Sequence, residues 1–176
     1  MSRVIVITGP TAVGKTKLSI ELAKKLNGEI INADAMQVYK GLNIGTAKVT
    51  EKEKENIPHH LFDIKEVEEE YSIYNYQKDC RNKIKEILSK NKTPILVGGT
   101  GLYIKAALYE YKFNKETIKN DYSDYSNEKL YEKLLKINPE TSIHKNNRKR
   151  IERELDKYSN NSFNQEKTDK LLYDTT

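Results

Sequence analysis

The chain has 176 residues, of which 36% are hydrophobic and 32% charged, with no tryptophan and a formal net charge of +5. That length fits one domain, or one domain with a small appendage, and the basic balance permits a nucleic-acid partner without requiring one. The single cysteine, Cys80, excludes an internal disulfide and a four-cysteine metal site. No apolar run approaches the roughly 20 residues that span a bilayer, and Val4–Ile7 is too short for a signal peptide. We therefore predict a cytoplasmic protein.

Three short apolar runs predict buried parallel strands: Val4–Thr8, Glu29–Ala33 and Pro94–Val97. Between the first two runs, Leu18, Leu22 and Leu26 recur at helical spacing and predict an amphipathic helix over Lys15–Leu26. Alternation of strands and helices indicates a three-layer α/β domain with a parallel sheet, which we place at residues 1–108.

Two further helices belong to this domain. Ser72 is a suitable N-cap for a helix over Ile73–Lys90, and another helix begins near Gly101 and runs towards Leu108. Cys80 shares the apolar face of the first of these helices, so we interpret it as a small buried residue and not as a reactive thiol.

The composition changes after residue 108, where aliphatic residues become sparse. We predict a helical lid segment at residues 109–158, which starts with a mobile stretch at 109–126. Its helices are predicted over Asn127–Lys136 and, with many charges, over Arg148–Tyr158. Residues 159–176 show no period and are predicted to be a poorly ordered tail.

The segment GPTAVGKT at residues 9–16 matches the pattern G-x-x-x-x-G-K-[ST] of phosphate-binding loops. It follows a predicted strand and opens a predicted helix, which is the context that the motif requires. In such a loop, backbone N–H groups surround phosphate oxygens, Lys15 adds a positive charge and the Thr16 hydroxyl reaches Mg²⁺. We predict a P-loop NTPase-like fold whose phosphate-binding residues are Gly9, Pro10, Thr11, Ala12, Val13, Gly14, Lys15 and Thr16.

Asp34 ends the second predicted strand, beside the loop that follows the first. Because ligands of open parallel sheets bind at the carboxyl ends of the strands, we expect Asp34 in that crevice. Its role stays open between an acceptor for metal-bound water, a substrate clamp and a general base, with an exposed loop aspartate as the alternative. A P-loop kinase or ATPase is disfavoured, because the third strand ends in Gly98-Gly99-Thr100 without a metal-binding acid.

Five motifs in order resemble the tRNA dimethylallyltransferase family, also called tRNA isopentenyltransferases. They are the loop at residues 9–16, DAMQVY at 34–39, GTAK at 45–48, PHHL at 58–61 with Asp63, and PILVGGTGLY at 94–103. The resemblance runs from Val4 to about Leu155. Relatives of full length continue into further helices that embrace the anticodon arm, so the chain resembles an N-terminal, truncated portion of the family.

The resemblance implies transfer of a dimethylallyl group from dimethylallyl diphosphate to the exocyclic amine of the adenosine 3′ to the tRNA anticodon. The loop would hold the diphosphate together with Mg²⁺, bound through the Thr16 hydroxyl. Lys15 would neutralise charge on the departing diphosphate, and Asp34 would accept a proton from the attacking amine. Thr100 would help to orient the flipped-out base. The implied catalytic residues are Asp34, Thr100 and Lys15.

The resemblance also assigns tRNA contacts. They involve Asp34, Ala35, Met36, Gln37, Thr100, Lys149, Arg150 and Arg153. Arg150 and Arg153 share one helical face and suit phosphate contacts. A solvated helix, paired internally through Glu152, Glu154 and Asp156, is the alternative. The implied partners are a tRNA anticodon stem-loop and dimethylallyl diphosphate, bound by a monomer that does not contact a membrane.

Several features keep other interpretations open. The family carries an adjacent histidine pair, here His59 and His60, for which we favour a structural or positioning role over a metal site. No arginine lies between Arg81 and Arg148, where many members carry one in the lid. The alternative functions are prenylation of a free adenosine nucleotide and a truncated product that binds phosphate or RNA without activity.

Overall fold

The computed structural model describes residues 3–111, 120–159 and 167–176. The chain divides into two compact units, Met1–Tyr111 with Thr168–Thr176 and Lys112–Lys167. Within the described ranges, no helix is long and apolar enough to cross a membrane. In chain order the elements are β1 (Arg3–Thr8), α1 (Lys15–Lys25), β2 (Gly28–Asn32), α2 (Glu51–Lys54), β3 (His59–His60), α3 (Ile73–Ser89), β4 (Thr93–Gly98), α4 (Gly101–Leu108), β5 (Tyr109–Tyr111), α5 (Asn127–Ile137), α6 (Arg148–Ser159), β6 (Lys167–Leu171) and β7 (Asp174–Thr175).

The first unit is built on a five-stranded parallel sheet in the order β3-β2-β4-β1-β7. The three strands predicted from apolar runs are β1, β2 and β4 at its centre, so the predicted α/β fold with a parallel sheet is confirmed. The edge strands β3 and β7 have two residues each, and such short strands carry no hydropathy period. In the register of β2 and β4, Asn32 lies opposite Val97, so the carboxyl ends of these strands lie side by side.

Apolar side chains fill both faces of this sheet. One face presents Val4, Ile31 and Leu96, and the other presents Ile5, Ile30 and Ile95. The first set packs with residues of α3 and α4, whereas the second packs with residues of α1. Because neighbouring residues of a strand point to opposite faces, the result is a helix–sheet–helix arrangement of three layers.

Helix α1 presents a different face to the sheet than the leucine spacing predicts. Leu18 and Leu26 are 47% and 41% exposed, whereas Ser19, Ile20 and Ala23 are buried. The small side chains of Ser19 and Ala23 let the helix lie close to the sheet, and the Ser19 hydroxyl donates to a backbone carbonyl of its own helix at 2.7 Å. Of the three leucines, Leu22 packs against this side of the core, whereas the other two do not, so the leucine spacing predicts the helix but only part of its buried face.

Helix α3 begins where the sequence predicts. The Ser72 hydroxyl accepts a hydrogen bond from the Asn75 N–H, and the helix runs over Ile73–Ser89. Cys80 is fully buried on its inner face, and burial raises the pKa of its thiol to about 12. The thiol is therefore protonated at neutral pH, in agreement with a packing role.

The structure corrects the prediction of a poorly ordered tail for residues 167–176. Strand β6 pairs with β5, and β7 pairs in parallel with β1. The Val6 N–H donates to the Thr176 carbonyl at 2.9 Å, and Leu171 and Tyr173 pack against the core. Main-chain hydrogen bonds hold this segment, so its polar composition does not reveal it. Strand β5 likewise replaces the start of the predicted mobile stretch, while residues 112–119 and 160–166 lie outside the described residues.

The second unit contains α5 and α6, close to the bounds that the sequence predicts. The two helices pack through Leu130, Leu134, Ile151 and Leu155. The Ser126 hydroxyl caps α5 by accepting from the Lys129 N–H. Because Ile151 and Leu155 form an apolar face, helix α6 is amphipathic despite its many charges.

A buried carboxylate links three parts of the first unit. Glu29 of β2 is 3% exposed, and it accepts hydrogen bonds from His60 Nε2 at 2.6 Å and from Lys92 Nζ at 2.8 Å. Burial by itself raises the pKa of Glu29, but the hydrogen bonds from Lys92 and His60 outweigh it and hold the pKa below the ordinary value of 4.5. The charged carboxylate therefore stabilises the fold.

We predict that Glu29→Gln lowers the free energy of unfolding at neutral pH by about 1.5–3 kcal/mol, because a buried charged acceptor of two hydrogen bonds is lost. Since the folded-state pKa is lowered, this contribution is fully present above pH 4.5 and is lost as the pH falls through the folded-state pKa. Urea unfolding of both proteins over this pH range measures the difference, which should narrow in acid.

Glu86→Gln is the matched control. The Glu86 carboxylate pairs with Lys83 and Lys90 where solvent reaches it, so its replacement should change stability far less. A difference between wild type and Glu29→Gln that stays constant into acid would contradict the stabilising role of the Glu29 charge.

Candidate active site

The loop at residues 9–16 turns the chain from β1 directly into α1. Ala12 and Gly14 have positive φ angles of 66° and 86°, and Gly14 is the N-cap of the helix. The first turn of α1 contains no acidic residue, so no side chain there offsets the positive end of the helix dipole. Lys15 Nζ donates to the Pro10 carbonyl at 2.6 Å, which holds the ammonium group at the loop. This arrangement is suited to an anion.

A cavity of about 680 Å³ lies within the first unit beside this loop. Its polar lining includes Thr11, Ala12, Gly14, Lys15 and Thr16 of the loop, together with Asp34, Gln37 and Thr46. Its apolar lining includes Ile20, Ile30, Phe62 and Val97. Glu21, Lys24, Glu53, Glu55 and His59 also line it. The cavity thus combines a cationic loop, an apolar wall and four carboxylates, of which Glu55 pairs with Lys24 and Glu53 accepts hydrogen bonds from Thr50.

Asp34 contributes one anchored and one available carboxylate oxygen to this cavity. Oδ1 accepts a hydrogen bond from the Met36 N–H at 2.9 Å. Among the described residues, Oδ2 has no hydrogen-bond partner, and the side chain is half-buried. An anchored carboxylate with an available oxygen can accept a proton or a hydrogen bond from a ligand.

Thr100 lies at the N-terminus of α4 and joins that helix to the segment after β2. Its Oγ1 accepts a hydrogen bond from the Ala35 N–H at 3.0 Å, and its own N–H donates to the Ala33 carbonyl at 3.1 Å. Because Oγ1 acts as the acceptor here, the hydroxyl hydrogen remains available to donate to a ligand.

Gly98 and Gly99 allow three backbone segments to meet. A Cβ at Gly98 would lie 2.2 Å from the carbonyl carbon and oxygen of Ala33, which is closer than any side chain tolerates. A Cβ at Gly99 would lie 3.5 Å from the Gly9 carbonyl oxygen and 4.0 Å from Asp34 Oδ2. The missing acid at the end of β4 therefore has a steric cause, because Gly98 has no room for a side chain.

The motifs beyond the phosphate loop hold one another in place. Gln37 Nε2 donates to the Thr46 carbonyl at 2.8 Å, which joins the segment after Asp34 to the GTAK segment. Lys48 Nζ donates to Asp63 Oδ1 at 2.6 Å and to the Tyr39 carbonyl at 2.7 Å, with only 5% of the Lys48 side chain exposed. These contacts join motifs that are separate in the sequence, and Gln37 and Thr46 among them line the cavity.

The two adjacent histidines contact different partners. His60 bonds Glu29, whereas His59 Nδ1 donates to the Ile57 carbonyl at 2.7 Å and the ring meets Phe62 edge-on at 5.7 Å. Burial lowers the pKa of His59, which favours the neutral ring with Nε2 as an acceptor.

The structure brings together only part of the predicted site. Lys15, Thr16, Asp34 and Gln37 line one cavity, and Thr100 is joined to it through Ala35. Several predicted residues are not part of the lining, namely Gly9, Pro10, Val13, Ala35, Met36 and Thr100. Gly9 and Pro10 shape the loop instead, and the Met36 N–H anchors Asp34.

The predicted basic residues Lys149, Arg150 and Arg153 lie on α6 in the second unit, where all three are exposed. The neighbouring acids are engaged elsewhere, since Glu152 pairs with Arg148 at 2.6 Å and Glu154 pairs with Lys157 at 2.8 Å. Asp156 accepts hydrogen bonds from residues 120 and 122. The charged residues of α6 therefore pair with one another in part, but within the described part of the chain Lys149, Arg150 and Arg153 make no ion pair.

Arg148 serves the packing of the second unit. Its guanidinium donates to the carbonyls of Tyr122 and Tyr125 at 2.7 and 2.8 Å, in addition to its contact with Glu152. Arg148 therefore differs from its exposed neighbours, although the sequence shows one continuous basic run.

The sequence analysis predicted neither the apolar wall of the cavity nor the contact between Asn32 and Asp34. Asn32 is fully buried at the end of β2, and its side chain binds the backbone of Asp34. A polar residue inside the otherwise apolar run IINA was a signal that pointed to it. The wall residues belong to the general core pattern, and no motif distinguishes them.

Comparison with known proteins gives consistent matches. Residues 37–175 match the model of the IPP transferase family. A tRNA dimethylallyltransferase of Anoxybacillus flavithermus is 51% identical over 162 residues, covering 89% of this chain and 52% of that protein. One of Enterococcus faecalis is 51% identical over 175 residues, covering 93% and 57%. A solved eukaryotic dimethylallyltransferase acting on tRNA aligns with a TM-score of 0.77 and 36% identity, covering 99% of this chain and 47% of that one. The chain spans about half the length of the curated relatives it matches.

We predict that Gly98→Ala lowers the free energy of unfolding by about 1–3 kcal/mol or more, because the added Cβ meets the backbone of Ala33, which cannot rotate away. Gly45→Ala is the control, since nothing lies within 4 Å of its added Cβ, and it should stay within about 0.5 kcal/mol of wild type. Urea unfolding compares the three proteins, and equal midpoints for the two variants would refute the steric constraint.

Proposed function

The chain belongs to the IPP transferase family, and on that premise we propose that it transfers a dimethylallyl group from dimethylallyl diphosphate to the exocyclic amine of the adenosine 3′ to a tRNA anticodon. The observation that carries the proposal is the cavity beside the phosphate loop, which combines the cationic loop, the Asp34 carboxylate with its available oxygen, and an apolar wall. A prenyl diphosphate has a charged end and a hydrocarbon end, which match these two linings.

The donor's two ends would occupy different parts of the cavity. The loop N–H groups and Lys15 would bind the diphosphate, as expected for an anion at a helix N-terminus. The apolar residues Ile20, Ile30, Phe62 and Val97 would face the hydrocarbon and exclude water from the reacting carbon. A kinase acting on a small polar acceptor has no need of this wall.

The residues present fit a Mg²⁺ ion that is held mainly by its substrate. The Thr16 hydroxyl lines the cavity beside the loop and supplies an oxygen atom of the kind that Mg²⁺ prefers. Mg²⁺ usually combines one or two protein oxygens with substrate phosphates and water, so a full protein cage is not required. When bound, the ion would neutralise charge on the leaving diphosphate.

The reaction forms one C–N bond and breaks one C–O bond. The adenosine amine attacks the allylic carbon, the electron pair of the C–O bond leaves with the diphosphate, and the amine proton passes to Asp34 Oδ2. Oδ1 keeps its bond to the Met36 N–H, so the carboxylate need not reorient. Lys15 stabilises the departing diphosphate, and the Thr100 hydroxyl is free to donate to the base.

Helix α6, within the predicted lid segment at residues 109–158, would supply contacts to tRNA. The exposed side chains of Lys149, Arg150 and Arg153 carry positive charges that are not paired with the described acidic residues of their helix. Several positive charges along one helix suit the successive phosphates of an RNA backbone, whereas a free adenosine nucleotide does not need such a helix. The chain would act as a monomer in the cytoplasm, with Ala35, Met36 and Gln37 near the acceptor.

We predict that the chain transfers labelled dimethylallyl groups to an anticodon stem-loop in the presence of Mg²⁺, and that Asp34→Asn reduces the rate about 10²- to 10⁴-fold. Asparagine keeps the shape of Asp34 and an acceptor for the Met36 N–H but cannot take the proton. Asp79→Asn is the matched control, because Asp79 accepts a hydrogen bond from Tyr71 at 2.8 Å and is not part of the cavity lining.

The same assay separates the alternatives. Transfer to adenosine monophosphate in preference to the stem-loop would replace the RNA acceptor by a free nucleotide. Diphosphate binding without transfer to either acceptor would identify a binding product without activity and overturn the proposed reaction for this chain.

We predict that Arg150→Ala and Arg153→Ala each weaken stem-loop binding and reduce the slope of log K against log salt by about 1, because each removes one phosphate contact. Lys157→Ala is the control, since Lys157 already pairs with Glu154. Binding measured over a series of salt concentrations gives the slopes. Unchanged slopes in both arginine variants would show that this face of α6 does not contact RNA.

A further inference from the structure

A buried amide at the end of β2 controls the backbone of Asp34. Asn32 is 0% exposed, and its Oδ1 accepts a hydrogen bond from the Asp34 N–H at 2.9 Å. Its Nδ2 donates to the Asp34 carbonyl at 3.0 Å and to the Leu61 carbonyl at 3.0 Å. One side chain therefore binds both backbone polar groups of Asp34, and both of its N–H donors are used.

Asn32 is in turn held by a tyrosine from α3. The Tyr76 hydroxyl donates to the Asn32 carbonyl at 2.9 Å, and Tyr76 is fully buried. The Tyr76 ring stacks on Tyr103 of α4, with ring centres 3.9 Å apart. Burial raises the pKa of Tyr76 well above its usual value, so the hydroxyl stays a donor. Tyr76 therefore holds the main chain of Asn32 at the end of β2, and the stacked ring of Tyr103 in turn supports Tyr76.

The residues on the other side of Asp34 are equally constrained. The Ala35 N–H bonds Thr100 Oγ1, and the Met36 N–H bonds the Asp34 carboxylate itself. Every backbone N–H from Asp34 to Met36 therefore has a side-chain acceptor. With the backbone fixed on both sides, the carboxylate has little freedom in its position relative to the phosphate loop.

We propose that Asn32 is a positioning residue, which sets the place of the Asp34 carboxylate in the cavity through its paired hydrogen bonds to the Asp34 backbone. The expected effect of Asn32 on the reaction rate rests on the proposed function, whereas its expected effect on the order of the Asp34 backbone does not. A misplacement of about 1 Å can cost about 100-fold in rate, so a residue that never touches substrate can still control the reaction. The link to Leu61 also ties Asp34 to the segment that follows the histidine pair.

The test compares Asn32→Leu, which has similar volume and no hydrogen bonds, with Asn32→Ser and with Gln77→Leu. Serine keeps a hydroxyl that can accept from the N–H two residues on. Gln77→Leu removes another buried amide, one that donates to the Ala106 carbonyl at 2.8 Å, far along α4 from Thr100. It therefore reproduces the loss of stability without touching Asp34.

Amide hydrogen exchange by NMR and steady-state kinetics provide two readouts. In Asn32→Leu, the ratio of the exchange rate of the Asp34 N–H to that of the Ile31 N–H should rise about tenfold. The kcat should fall about 100-fold, with little change in the KM for dimethylallyl diphosphate. Asn32→Ser should recover part of both losses. Gln77→Leu should change neither the Asp34 exchange ratio nor kcat by more than about twofold.

The outcomes separate the positioning role from the proposed reaction. Equal losses of kcat in Asn32→Leu and Gln77→Leu would overturn the inference, because the role of Asn32 would then be stability alone. If wild type transfers no prenyl group, the proposed function fails and the exchange ratio alone decides, with unchanged Asp34 exchange overturning the inference. If Asn32→Leu does not fold, the same comparisons are made with Asn32→Ser, for which smaller changes in the same direction are expected.

Discussion

The close approach of β4 to the residue that follows β2 is the constraint on which the site depends. At Gly98 these two segments of the backbone are so close that a single methyl group would overlap the Ala33 carbonyl. This contact places the carboxyl ends of β1, β2 and β4 in one crevice, with the phosphate loop on one side and Asp34 on the other. It also explains why the metal-binding acid found at this strand end in many P-loop enzymes has no counterpart here.

The second organising principle is that buried polar groups serve the backbone of the site. The buried Asn32 side chain bonds the main chain of Asp34, and the half-buried Gln37 side chain bonds that of Thr46, both of which line the cavity. Within the described residues, no buried side-chain nitrogen or oxygen lacks a partner. The entropy cost of ordering Asp34 is therefore met during folding and not during ligand binding, which is the condition for a preorganised electrostatic site.

Much of this architecture could be predicted from the sequence because it rests on local patterns. Buried parallel strands are continuous apolar runs, and the phosphate loop is a contiguous motif, so both were visible. The inner face of α1 could not be predicted in this way, because it contains Ser19 and Ala23, whose small side chains allow close packing but are not strongly hydrophobic. Strand β7 and the bond from Asn32 to the Leu61 carbonyl depend on partners far away in the chain, and no local pattern encodes such partners.

The pairing of β7 with β1 decides where the second unit lies along the chain, and this has a consequence for how the length of the chain can vary. Because β7 pairs with β1, the sheet includes a strand that follows the second unit in the chain. The second unit is consequently an insertion between two pieces of the first. Loop-closure entropy grows only with the logarithm of length, so such an insertion can lengthen or shorten at small cost to the sheet. Natural variation in chain length should therefore concentrate there, while the phosphate loop and its strands remain constant in size.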